Sequence, residues 1–171
     1  MLLGSRASAR DDAPWLRNLS GWLRPYVNGD LDRPLLGVCF GHQLIAHLAG
    51  GAVGFSREDH EKVVGVARTV WDSRRLLPTH RELSVAVSHR EIVVSAPPGF
   101  RVIGARPESP IDALEHETRP IFSVQFHPEA REDWLRRRGV APESADPRVW
   151  RDGRALLESF REFTIAHTIL R

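Results

Sequence analysis

Short apolar runs, separated by polar stretches that contain proline and glycine, mark the elements of this chain. The stretch 11–27, "DDAPWLRNLSGWLRPYV", has apolar residues at helical spacing and predicts a helix. Asp11 and Asp12 are expected to cap its start, and Pro14 suits a first turn that needs no amide hydrogen. The stripe expected to face the core, or an interface, consists of Trp15, Leu19, Trp22, Leu23 and Tyr26.

A strand followed at once by a helix is predicted in the segment 34–51, "PLLGVCFGHQLIAHLAGG". Its run "LLGVC" is wholly apolar, as expected for a parallel strand covered on both faces. "QLIAHLAGG" predicts a short helix closed by Gly50 and Gly51, because glycine is favoured just past a helix end. Near the start of the chain, "LLGS" indicates the end of another strand that runs into a loop.

The chain becomes richer in β-forming residues from position 61 onward. Six short runs separated by Pro and Gly predict strands: "KVVGVARTVW", "LSVAVSH", "EIVVSAP", "FRVIGARP", "IDALEHE" and "IFSVQFH". A final helix is expected to place on one face Leu156, Phe160, Phe163, His167 and Leu170. This order of elements predicts one α/β domain, with a mostly parallel sheet flanked by helices and with additional antiparallel strands.

Composition excludes several classes of protein. Of the 171 residues, 42% are hydrophobic and 27% charged, as in soluble globular proteins, and no apolar run approaches the roughly 20 residues of a membrane span. The start is too weakly apolar for a secretory signal and one cysteine cannot form an internal disulfide, so we expect a cytoplasmic protein. The net charge is +2 and the arginines are scattered, which argues against nucleic-acid binding. The run "RRR" at 136–138 is expected to be a solvated helix end.

The single cysteine, Cys39, lies where the predicted strand turns into the predicted helix. A lone cysteine is most often inert packing, but Gly37 and Gly41 stand two residues before and after it, where side chains would clash in a sharp turn. A thiol at a helix N-terminus faces free backbone N–H groups and the positive end of the helix dipole, which favour the reactive thiolate. The pattern indicates a nucleophile, with the amide of Phe40 directed at an oxyanion formed on its substrate.

A proton donor for such a nucleophile stands far downstream. In "SVQFHPE", His127 and Glu129 follow an apolar strand. A histidine there can exchange protons with Cys39 and protonate a leaving amine, and the carboxylate can orient and stabilise the imidazolium. Together the three residues make a nucleophile–base–orienter arrangement.

These motifs resemble those of a known family. "PLLGVCFGHQ" and "VQFHPE" look like the two signature motifs of the class I (triad) glutamine amidotransferases, and "GS" followed by "DDAPW" resembles stand-alone, GMP-synthase-like members. "SHREIVVSAPPG" resembles the family's segment between the two motifs. The resemblance implies a flavodoxin-like fold and hydrolysis of L-glutamine through a γ-glutamyl thioester, without a cofactor. It also implies that the ammonia is supplied to a separate synthase chain.

The resemblance also implies roles for individual residues. Cys39 would be the nucleophile, His127 the acid and base, and Glu129 its orienting partner. The backbone amides of Phe40 and Gly4 would form the oxyanion hole. Gln43 would contact the substrate, and the strand segment at Ser88 and His89 would hold its α-amino and carboxyl groups. No metal is expected, since His42 and His47 lie five residues apart and do not share a helix face.

The chain departs from the family pattern at its start, where the usual β-α-β segment before the "GS" loop is missing. Its loss would leave an unpaired sheet edge and an exposed apolar face, which invite a partner or an oligomer. A misplaced start codon, a gene fragment and a second chain that fills the gap remain open explanations.

Two further functions remain open at this stage. The same triad could hydrolyse or transfer another γ-glutamyl compound, with a changed pocket for the α-carboxyl group. Alternatively, the chain could be a non-catalytic binding or regulatory remnant.

Overall fold

The computed structural model describes residues 1–169. The helices are α1 (Pro14–Asn28), α2 (Phe40–Leu48), α3 (Glu132–Arg136) and α4 (Arg148–Ile169). The strands are β1 (Leu35–Val38), β2 (Ala52–Phe55), β3 (Val63–Trp71), β4 (Glu82–His89), β5 (Glu91–Ser95), β6 (Phe100–Arg106), β7 (Ser109–His116) and β8 (Ile121–Val124). Leu170, which was expected on the face of the last helix, lies outside the described residues.

The main sheet is mixed. Its six strands follow the order β1-β8-β7-β6-β3-β4, and β2 pairs with β5 in a separate two-stranded sheet. β1 and β8 run parallel, and Leu2 continues this arrangement through a parallel bridge to Gly37, but the other pairs are antiparallel. The α/β class is therefore confirmed, whereas the expected mostly parallel character holds only at the β1 edge, because β3 to β8 are joined by short connections that reverse the chain.

Helices cover both faces of this sheet. Two hydrophobic clusters result, one on each face. Side chains alternate across β1, so that Leu35 belongs to the first cluster, with residues of α1 and α2, while Leu36 belongs to the second cluster, with residues of α4. Leu156 is fully buried in that second cluster, with Phe160 and Phe163 packed against it, as the helical periodicity predicts. The two clusters hold the carboxyl ends of β1 and β8 side by side, and the site lies at these ends.

The first helix differs from its prediction in its start and in its buried face. Ala13 is the N-cap, and neither Asp11 nor Asp12 caps the helix; Asp12 instead forms an ion pair with Arg17. The buried residues of the helix are Leu16, Leu23 and Val27. Trp15 and Trp22 of the expected apolar stripe remain 46% and 56% exposed, so the stripe is rotated from the prediction.

One strand was not foreseen. β2 contains only four residues, among them Gly54, and pairs antiparallel with β5. The helix whose end the run "RRR" indicated is α3, which ends at Arg136, and a 3-10 turn follows it at Pro142–Ser144. Within residues 1–169, no helix combines the length and apolar character needed to cross a membrane.

Candidate active site

The turn between β1 and α2 holds Cys39 in a strained backbone conformation. Cys39 is the N-cap of α2 with φ 51° and ψ −101°, a region that residues other than glycine rarely adopt. Its N–H donates to the carbonyl of Val124 at 2.8 Å. A Cβ on Gly37 would lie 2.6 Å from Cδ1 of Ile45, and one on Gly41 would overlap the carbonyl of Leu2. Both glycines are thus required by the close packing of the turn.

His127 and Glu129 follow β8 and form a pair beside this turn. Nδ1 of His127 lies 2.7 Å from Oε1 of Glu129, and the backbone N–H of His127 donates to the backbone carbonyl of Ala86 at 2.8 Å. The imidazole is buried, with its ring centroid 4.8 Å from that of Trp134. Burial alone would lower the pKa of His127, but its interactions with Cys39 and Glu129 outweigh burial and raise this pKa to about 9.

Backbone and amide groups surround the thiol. Sγ of Cys39 lies 3.6 Å from Nε2 of Gln125 and 4.0 Å from the carbonyl oxygen of Ser88. Gly4 approaches the pair from the other side, since a Cβ there would lie 3.1 Å from Cε1 of His127 and 3.7 Å from Cβ of Cys39. A side chain at position 4 would therefore push against the imidazole.

Two cavities meet at Cys39, with volumes of about 430 Å³ and 940 Å³. The residues common to both are Ser5, Arg6, Cys39, Lys62 and Ser88. The first cavity, which we call the glutamine-side cavity after Gln43, is lined in addition by Gln43, Phe55, His89, Arg90 and Glu91. The second, the His127-side cavity, is lined in addition by Gly4, His127, Glu129, Trp134, Arg137 and Arg138.

The structure brings the other sequence-predicted residues to the same place. Gln43 is buried on α2, and its Nε2 donates to the carbonyl of Glu91 at 2.7 Å and to Oε1 of Gln125 at 3.2 Å. Ser88 and His89 end β4 and line the glutamine-side cavity. Phe40 is the first residue of α2, so its N–H is one of the helix-start amides that have no partner within the helix.

Several site residues carried no clear signal in the sequence. Lys62 and Arg6 line both cavities, and burial, together with the charge of Arg138, lowers the pKa of Lys62. Arg138 is not the solvated residue that the run "RRR" suggested. Its guanidinium lies 3.7 Å from the centroid of the Trp134 ring, and its Nε donates to Oγ of Ser88 at 3.1 Å. These cations give the mouth of the site a positive field that favours an anionic group.

The histidine of α2 next to this turn is a packing residue. Both ring nitrogens of His42 have partners, Oγ of Ser123 at 2.8 Å and the carbonyl of Ile111 at 3.1 Å. Burial lowers the pKa of His42 to about 4, so its imidazole is neutral. Within the described part of the chain, no three His, Cys, Asp or Glu side chains are grouped so as to hold a metal ion.

Comparison with known proteins identifies relatives of this chain. Residues 21–137 match the family model described as "Glutamine amidotransferase class-I". The chain is 39% identical over 115 residues to a glutamine-hydrolysing GMP synthase subunit of Thermococcus kodakarensis, covering 66% of this chain and 58% of that protein. It is 42% identical over 97 residues to the protein of the same name from Pyrococcus abyssi, covering 56% of this chain and 50% of that protein. The chain thus spans about half the length of these relatives.

Solved structures show the same fold. A protein from Thermoplasma acidophilum, described as a GMP synthase subunit, aligns with a TM-score of 0.73 at 20% identity, over 99% of this chain and 73% of the other. A glutamine amido transferase from Methylobacillus flagellatus aligns with a TM-score of 0.69 at 25% identity, over 97% and 73% of the two chains.

Proposed function

This chain belongs to the class-I glutamine amidotransferase family, and on that premise we propose that it hydrolyses the side-chain amide of L-glutamine through a thioester on Cys39. The observation that carries the proposal is the convergence of Cys39, in a strained turn at a helix start, with the His127–Glu129 pair. A thiolate, a proton donor and a carboxylate that orients the donor are the groups that this reaction needs.

In the first half of the proposed reaction, the thiolate of Cys39 attacks the amide carbon of the glutamine side chain. The oxygen takes up the negative charge, and the amides of Phe40 and Gly4 are the donors proposed to stabilise it. The imidazolium of His127 gives a proton to the nitrogen, the C–N bond breaks, and ammonia leaves a γ-glutamyl thioester. Its raised pKa keeps His127 protonated for this step near neutral pH.

In the second half, neutral His127 takes a proton from water, and the hydroxide attacks the thioester carbon. The C–S bond breaks, glutamate leaves and Cys39 returns as thiolate beside the imidazolium. Glu129 holds Nδ1 of His127 throughout, so that the ring presents its other nitrogen to the thiol and the substrate.

The glutamine-side cavity is the proposed place for the amino-acid end of the substrate. It combines the cations Arg6, Lys62 and Arg90 with the carboxylate of Glu91, so it can take a carboxylate and an ammonium group together. Glu91 is itself held by Ser8 and Arg10. Gln43 is placed between Glu91 and Gln125 and lines the same cavity.

We further propose that the ammonia serves a separate synthase chain. The two archaeal relatives described above are named as subunits of a GMP synthase, which supports a second chain as the site of ammonia use. The chemical identity of the acceptor in this protein is then set by that second chain.

One observation favours a second candidate function, hydrolysis of larger γ-glutamyl amides. The leaving amine departs on the side of His127, where the cavity measures about 940 Å³, well beyond what ammonia occupies. Volumes of about 300–1,000 Å³ accommodate drug-sized ligands. The positive lining of this cavity suits a leaving group that carries a carboxylate, as in a γ-glutamyl amino acid.

Glutamate release from glutamine by the purified chain tests the proposed function, with and without an added synthase chain and with γ-glutamyl amino acids in parallel. We expect release from glutamine that Cys39→Ala abolishes, with Ser20→Ala, on α1 and outside both cavities, as the matched control. Release only from γ-glutamyl amino acids would instead favour the second candidate. No release from any substrate by the folded protein would contradict both.

A further inference from the structure

A buried polar network behind the glutamine-side cavity takes no part in the steps above. Arg106 on β6 and Asp112 on β7 have side chains only 1% and 0% exposed, and Nε of Arg106 donates to Oδ1 of Asp112 at 3.0 Å. Nη2 of Arg106 lies 2.6 Å from Nε2 of His89 at the end of β4. A buried ion pair is often no better for stability than well-packed apolar residues, so its presence here calls for another reason.

The contact with Arg106 determines where His89 carries its proton. A guanidinium only donates hydrogen bonds and stays charged, so Nε2 of His89 must accept. The neutral imidazole therefore has its proton on Nδ1. Burial, followed by the charge of Arg106, lowers the pKa of His89 to about 3. The other charged or titratable groups that act on His89 in the same direction are His127, His42 and Lys62.

The proton-bearing nitrogen has no acceptor. Nδ1 of His89 is buried without a hydrogen-bond partner among residues 1–169, although His89 lines the glutamine-side cavity together with Cys39 and Gln43. A buried donor left in this state is costly unless a ligand or water supplies the acceptor. The same cavity carries Arg6, Lys62 and Arg90, which favour an anion as that ligand.

We propose that Arg106, held by Asp112, is a positioning residue that fixes the proton of His89 on Nδ1, and that this N–H donates a hydrogen bond to the α-carboxylate of the substrate. The identity of the substrate rests on the proposed function, whereas the position of the proton does not. The side chain of His89 thereby takes part in substrate binding, and the buried ion pair of Arg106 and Asp112 contributes by fixing the proton of His89.

The position of the proton can be measured without enzymatic activity. Long-range ¹H–¹⁵N spectra of the full chain, labelled at histidine nitrogens, are recorded from pH 5 to pH 8, with His89 assigned by its loss in His89→Asn. We expect a neutral ring with the proton on Nδ1 at every pH. A ring that carries its proton on Nε2, or that becomes charged in this range, would overturn the inference.

Binding of the substrate, whose α-carboxylate is the proposed hydrogen-bond acceptor, is tested in the inactive Cys39→Ala protein. Titration with L-glutamine should shift the Nδ1 and Hδ1 signals of His89 in proportion to saturation, which is followed independently by calorimetry. Saturation without such a shift contradicts the contact between His89 and the substrate, while the proposed function stands. Absence of glutamine binding contradicts the contact as well, and the glutamate-release assay on the unmodified protein then decides the proposed function separately.

Steady-state kinetics distinguishes a His89 side chain that donates a hydrogen bond to the substrate from one that only fills space. In His89→Leu the KM for glutamine should rise about tenfold to a hundredfold, the range for a hydrogen bond to a charged group, with kcat changed much less. His89→Asn places an amide N–H near the position of Nδ1 and should recover most of this loss. Equal KM values for His89→Leu and the unmodified protein would overturn the inference.

The role of Arg106 has its own signature in the position of the proton. The double variant Arg106→Met/Asp112→Leu removes both buried charges, so neither is left unpaired. Neutral His89 can then carry its proton on either ring nitrogen, and the long-range ¹H–¹⁵N spectra of this variant should show a proton on Nε2. The KM for glutamine should rise several-fold over that of the unmodified protein. A proton that stays wholly on Nδ1 in the double variant would mean a structural role alone and would contradict the proposal.

Discussion

Nδ1 of His127 lies 2.7 Å from Oε1 of Glu129, and this contact leaves the other ring nitrogen, Nε2, to interact with Cys39. The two residues are separated by Pro128 alone, whose fixed φ restricts the chain between them. The carboxylate is partly exposed and the imidazole is buried, so the pair places a charge-stabilised ring at the edge of the His127-side cavity.

The first prediction concerns this contact. Glu129→Gln keeps the shape of the side chain but removes its charge, so the imidazolium of His127 loses stabilisation. We expect kcat for glutamine hydrolysis to fall by about tenfold or more, the scale of one lost charge-assisted contact, with KM nearly unchanged. Steady-state kinetics measures this, and an exposed change on α3, Glu132→Gln, serves as the matched control. An unchanged kcat in Glu129→Gln would remove Glu129 from the mechanism.

The second prediction is a dependence of stability on pH. The folded-state pKa of His127 is raised from 6.5 to about 9, so its protonated form stabilises the fold. This contribution is complete below about pH 6.5 and is lost as the pH rises through 9, by about 3 kcal/mol in total. Denaturant unfolding from pH 6 to pH 9.5 should show a steeper loss of unfolding free energy for the unmodified protein than for His127→Gln. Parallel curves for the two proteins would contradict the raised pKa.

The third prediction concerns the glycines of the turn. Gly37→Ala places a methyl group 2.6 Å from Ile45, and Gly41→Ala places one against the backbone of Leu2. Each is expected to lower the free energy of unfolding by about 1–3 kcal/mol or more, as overpacking does. Gly21→Ala is the control, because a Cβ at this position of α1 meets no atom within 4 Å and alanine favours a helix by about 1 kcal/mol. A loss of stability in the control equal to that at Gly37 would contradict the role of close packing in the turn.

How much of this site the sequence reveals depends on the kind of signal. The turn at Cys39 and the distant His127 and Glu129 could be predicted, because glycine spacing and flanking apolar runs report local backbone geometry. The orientation of α1 could not, since periodicity identifies an amphipathic helix but not which of its large side chains stay exposed, as Trp15 and Trp22 do.

Tertiary contacts explain the other omissions. Arg138 belongs to an arginine run that looks solvated, and only the folding of α3 beside β4 brings it to Ser88. Likewise, Arg106 and His89 lie on different strands, 17 residues apart in sequence, and only the tertiary fold brings their side chains together. β2 was missed because only one of its four residues is buried, whereas the equally short β1 and β8 are buried throughout and stand out as apolar runs.

The fourth prediction tests the role of Arg138. Arg138→Gln removes the guanidinium that stacks on Trp134 and binds Oγ of Ser88, so the end of β4 loses an anchor. We expect KM for glutamine to rise about threefold to tenfold, which corresponds to one hydrogen bond of ordinary strength. Arg136→Gln is the matched control, since the side chain of Arg136 is exposed, paired with Glu132 and outside both cavities. Equal KM values for the two variants would contradict a role in the site.

The most direct test of the proposed chemistry is detection of the thioester on Cys39. The unmodified protein is mixed with glutamine, quenched in acid during turnover and analysed by mass spectrometry of its peptides. We predict one γ-glutamyl group on the peptide that contains Cys39, removed by hydroxylamine and absent in His127→Gln, in which its formation is slow. Release of glutamate by Cys39→Ala at the unmodified rate, with no such adduct in the unmodified protein, would contradict the central role of this thiol.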